Sequence, residues 1–101
     1  MKTSEFIELR AAELHALVDK NRQAQSNPDL IGHIEGLLEL ATGEYDRSRE
    51  SLSAVLHAAR EFYGAEAHLL DKEKQAQIWS EMKSSIASFA ILSTRCRRNG
   101  D

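Results

Sequence analysis

Oily side chains recur along this chain at intervals of three and four residues and nowhere alternate, so the segments that carry them bury a single face only as α-helices. Four such stretches occur. In the first, near residues 4–25, Phe6, Ile7, Ala11, Leu14, Leu17 and Val18 share one arc of a helical wheel, with Thr3 or Ser4 placed to cap its start. The second, near 28–42, gathers Leu30, Ile31, Ile34, Leu37, Leu38, Leu40 and Ala41. The third, near 44–63, aligns Tyr45, Leu52, Val55, Leu56, Ala59, Phe62 and Tyr63. The last, near 72–95, aligns Ile78, Trp79, Met82, Ile86 and Phe89, and leaves Ile91 and Leu92 off its stripe.

The breaks between these stretches have a chemical basis. Pro28 keeps Asn27 out of the helical region while its own fixed φ suits a first turn, so Ser26 or Asn27 caps the second helix. Gly43 is placed to end that helix, Gly64 to break or kink the third, and Asp71 to cap the fourth. Only six of the 101 residues are aromatic and no segment is rich in alternating Val, Ile and Thr. The expected fold is therefore all-α: a single-domain antiparallel bundle of about four helices joined by short turns, ending in a basic tail over 95–101.

Charge and cysteine narrow the function. Residues 1–94 carry 15 of the 16 acidic side chains and 10 of the 13 basic ones, while RCRRNGD at the end carries three arginines. A mildly acidic body disfavours nucleic acid, whose binding depends on a basic face that displaces counterions. No stretch reaches the roughly 18 consecutive apolar residues of a membrane span, the N-terminus has no signal-peptide core, and Cys96 has no second cysteine to pair with. A cytoplasmic setting is expected.

Residues with chemical potential are scattered. His57 and Glu61, four apart, share a helix face as a solvated pair. If the helix ran on through Gly64, His68 would lie about 16 Å from His57 along the axis, too far to share an ion. No Cys pair or His-x-x-x-His supplies zinc ligands, and no Gly-x-Ser-x-Gly elbow, phosphate loop or dinucleotide fingerprint occurs. No metal, cofactor or catalytic residue is expected. His33, at the edge of an apolar arc, reads as a partly buried, hydrogen-bonded histidine.

Two resemblances bear on function. The stretch IEGLLELATGEYDRS, with Gly36, Gly43, Glu44, Tyr45 and Asp46, resembles a tetratricopeptide repeat, which would imply a peptide-binding groove lined by Leu30, His33, Leu37 and Leu40. That register buries Gly32, Glu35, Gly36 and Glu39 between the repeat's helices, and an unpaired buried carboxylate is costly. The stretch is read instead as an ordinary helical-hairpin turn. Arg10 and His15 have the Arg-x4-His spacing of HEPN ribonucleases, a resemblance that would imply a dimeric enzyme using both for acid–base chemistry on RNA.

The principal expectation is non-enzymatic: an adaptor, regulator or inhibitor that binds another protein through a helical surface, of the kind common among small bacterial and phage accessory proteins. Gly32 and Gly36 each cost a helix roughly 1 kcal/mol relative to Ala and leave a smooth patch for another helix, from this chain or a second one. The expected partner-binding residues are Gly32, Gly36, His33, Leu37, Leu40, Ile91 and Leu92. Leu9 is also left outside the main stripes, and self-association into a homodimer would enlarge so small a core.

Overall fold

The computed structural model describes residues 2–100, in which four helices run α1 (Thr3–Lys20), α2 (Pro28–Glu44), α3 (Arg49–Phe62) and α4 (Lys72–Arg98). No strand occurs among the described residues, and the elongated body measures 45 × 21 × 20 Å. Ion pairs fix the directions of the helices. Glu8–Arg97 and Asp19–Lys83 (2.7 Å) set α1 antiparallel to α4, and Glu35–Arg60 (3.0 Å) joins α2 to α3. His33 on α2 meets Glu13 on α1, while the Tyr45 ring stacks on Phe6 with centroids 4.1 Å apart. The helices therefore run up, down, up, down.

Each apolar stripe turns inward. Ile7, Leu14, Ile34, Leu52, Met82 and Ile86 are fully enclosed, each burial contributing about 1.5–3 kcal/mol relative to exposure. Phe62 closes one end of the core, edge-on to Tyr63 and tilted against Trp79. α1 and α2 approach each other less closely than the other neighbouring pairs. Their connection is secured by Tyr63, whose hydroxyl donates to the Asn21 carbonyl (2.7 Å) and whose own carbonyl accepts from the Asn27 N–H (2.9 Å).

The boundaries depart from expectation in five places. α1 stops at Lys20 instead of near Gln25, because the Asn21 side-chain amide donates to the Leu17 carbonyl (2.7 Å) and its backbone N–H to that of Val18 (2.9 Å). Only Ala24 among residues 22–26 carries an apolar side chain to hold a further turn on the core. Lys2, and not Thr3 or Ser4, occupies the N-cap position, with its N–H donating to Glu5. α2 runs past Gly43 to Glu44: Tyr45 donates to the Ala41 carbonyl (2.8 Å), its ring anchored on Phe6. A 3-10 turn, Asp46–Ser48, then precedes α3, which starts at Arg49 instead of near Glu44.

The fifth departure is the basic end. Arg95, Arg97 and Arg98 form the last turn of α4, where cations oppose the negative pole of the helix, and Arg97 is tied to Glu8. Asp101, the end of the expected tail, lies outside the described residues, as does Met1. Elsewhere the turn chemistry is as read: Asn27 Oδ1 accepts from the Leu30 N–H (3.2 Å) and Asp71 Oδ1 from the Lys74 N–H (2.7 Å).

α3 ends at Phe62, and Gly64 follows in a tight turn. A Cβ at Gly64 would lie 2.2 Å from the Arg60 carbonyl oxygen, whereas a Cβ at Gly32 would meet nothing within 4 Å. Gly64→Ala should therefore lower stability by about 1–3 kcal/mol through a backbone clash, and Gly32→Ala should raise it by about 1 kcal/mol through helix propensity. Urea unfolding of both variants measures the contrast, and shifts of the same sign would contradict it.

Candidate interaction surface

The seven residues expected to bind a partner separate into inward and outward groups. Leu37 is buried in the core, and Leu92 is half-buried against it, so neither presents a free side chain. Gly32 and Gly36 are exposed on α2, Leu40 is 38% exposed, and Ile91 on α4 is 58% exposed. The physical reason is the helical angle: Leu37 stands three residues from Ile34 and four from Ala41, both enclosed, while Leu40 falls on the flank.

Gly32, Gly36 and Gly43 lie within about 40° of one another at 100° per residue, so they form one stripe along the outer side of α2. Among the described residues, no atom beyond the helix's own neighbouring backbone lies within 4 Å of the Cβ position at any of the three. An internal helix therefore does not use the patch. Glu35 and Glu39 flank it and are exposed, where tetratricopeptide packing would bury them. α2 carries Asp29, Glu35, Glu39 and Glu44 and no Lys or Arg. Of these, Glu35 alone has a cation in contact among the described residues, Arg60.

His33 belongs to a different place, the seam between α1 and α2. It is half-buried, with Nε2 2.5 Å from Glu13 Oε1 but off the line of a hydrogen bond, and Arg10 Nη1 donates to the other oxygen of Glu13 (2.8 Å). A cleft of about 390 Å³ opens beside this cluster, floored by Leu17 and Leu30 and edged by Asn21 and Asp29. Such partly exposed pairs contribute about 0–1 kcal/mol.

The other candidate groups are spread over the surface. His57 and Glu61 meet at 3.3 Å in solvent, and the break at Gly64 places His68 in a separate 3-10 turn, Ala67–Leu69. Arg10 points into the α1/α2 seam, whereas His15 neighbours Lys83 of α4 and Asp19, so the two residues of the HEPN-like spacing serve different seams. Cys96 is buried in the core. Among the described residues, no three His, Cys, Asp or Glu side chains are grouped to hold a metal ion, and no helix is long and apolar enough to cross a membrane.

Sequence reading did not find Tyr63 as the tie between the α1–α2 link and α3. The signal is a hydroxyl on an apolar stripe, and its acceptor lies 42 residues earlier in the chain. It also did not find the groove between α3 and α4, about 690 Å³ in volume, whose walls include Ser53, Ala54, Ser80 and Ser84. Comparison with protein-family models, curated proteins and solved structures finds no match to this chain.

Electrostatics around α1 give a pH test. Burial, then the charge of Lys83, hold His15 below its ordinary value of 6.5, with Asp19 opposing. The unfolded chain thus takes up this proton more readily than the folded one. Stability is fully present above about pH 6.5 and falls as the pH drops through that value. His15→Gln should flatten this part of the profile of urea midpoint against pH between 7 and 5, and parallel wild-type and variant profiles would contradict the assignment.

Proposed function

We propose that this chain acts by binding another protein, as an adaptor, regulator or inhibitor, with the outer face of α2 as the contact surface. The observation that carries this is the glycine stripe. Three glycines in one helix forgo roughly 0.8–1 kcal/mol each relative to Ala, and nothing inside the bundle approaches closely enough to need them. A helix without side chains along one stripe lets another backbone come near. The exposed Leu40 offers an apolar contact beside it.

Charge defines the partner's chemistry. α2 bears four carboxylates and no Lys or Arg, so the fitting partner is a helix whose apolar stripe is flanked by Lys or Arg, paired across a polar rim. The same charge disfavours a nucleic-acid backbone at this face. Cys96, the lone cysteine, is in keeping with a reducing, cytoplasmic setting.

A photoreactive phenylalanine derivative at position 40, beside the glycine stripe and outside it, tests the face in cells. The expected result is a discrete cross-linked protein that disappears when Gly36→Leu and Glu39→Lys are added, and that is absent when the same probe stands at position 76 on α4. Identical products from both positions, or none from position 40, would overturn the assignment.

A further inference from the structure

The outer face of α4 has a pattern of its own, separate from the surface assigned to α2. From Ser84 to Thr94 the helix contains no charged side chain, in a chain of which 29% is charged. Glu81, Ser84, Ser88, Ile91, Arg95 and Arg98 are all exposed and follow one another at alternating steps of three and four. That spacing places them on one stripe, the seam along which two helices pair. Small side chains at Ser84 and Ser88 permit close approach, and Ile91 supplies the apolar knob. The stripe runs beside the groove between α3 and α4, where Ser53 and Ala54 leave room for a second helix.

The two charged ends of the neutral stretch are left open within the chain. Arg95 has no carboxylate partner among the described residues, and the side chain of Glu81 contacts only the Gln77 amide, at 3.4 Å. They stand seven residues to either side of Ser88. Antiparallel pairing of two α4 helices about a two-fold axis at Ser88 therefore sets each Arg95 against the Glu81 of the other copy. Parallel pairing would set like charge against like. The face is thus complementary to itself in the antiparallel sense, as an isologous interface requires, whereas α2, with four carboxylates and no Lys or Arg, would repel its own copy.

We infer that the protein pairs with a second copy of itself through antiparallel α4 helices crossing at Ser88, with reciprocal Arg95–Glu81 contacts and Ile91 seated in the α3/α4 groove of the other copy.

Sedimentation equilibrium of the full chain tests the pairing. Wild type should approach twice its 11.3 kDa mass as concentration rises. Glu81→Arg and Arg95→Glu should each raise the dissociation constant about tenfold or more, and the double swap should return it to within about threefold of wild type. Both positions are exposed, and circular dichroism confirms that the variants remain folded. A monomer mass up to millimolar concentration, single swaps without effect, or a double swap no better than the singles would each overturn the inference.

Discussion

The shared apolar core is the constraint on which the rest of this structure depends. Each of the four helices is amphipathic, and among the described residues no covalent or metal cross-link joins them. Cys96 is the lone cysteine, and no metal-binding cluster exists among the described residues. The six ion pairs among the described residues are partly exposed, and such pairs add little. What remains is the joint burial of stripes centred on Leu14, Ile34, Leu56 and Ile86. A chain of this length buries roughly 60–70% of its unfolded surface, so its stability depends on all four stripes meeting at once.

That requirement also frees the outer faces. Once Ile34 and Ala41 point inward, Gly32, Gly36 and Gly43 must point outward, and replacing them would cost the interior nothing. Once Met82, Ile86 and Phe89 are enclosed, Ser84, Ser88 and Ile91 must face solvent. The seam between α1 and α2 is the least tightly closed. It is held at one end by the Phe6–Tyr45 stack, in the middle by Glu13 and His33, and at the other end by Tyr63. Two helix faces of different electrical character, one acidic and one nearly neutral, thus stand on different sides of one small body.

Much of the architecture was legible in the sequence because it rests on local signals. The inward stripes, the Pro28 start, the Asp71 cap and the interruption at Gly64 follow from spacing and backbone chemistry within a few residues. The misplaced boundaries rest on contacts that apolar spacing does not report. Gly43 stays helical because Tyr45 finds Phe6 across the bundle, and α1 ends where Asn21 turns its side chain back on Leu17. At the surface, spacing put Gly32 and Gly36 off the apolar arc of α2 and Ile91 off that of α4, but it grouped Leu40 with Leu37 on the arc, although the two differ by one turn and one is exposed while the other is buried. The repeat-like register would bury Glu35 and Glu39, which are exposed, and Arg10 and His15 stand at different seams.

Native-state hydrogen exchange of the wild-type chain tests most directly whether one core holds all four helices. The amides of Leu14, Ile34, Leu56 and Ile86 are expected to exchange with a common free energy, within about 1 kcal/mol of global unfolding measured with urea. Exchange of any one of these helices at a markedly lower free energy than the other three would show that it does not belong to the shared core, and would contradict the account.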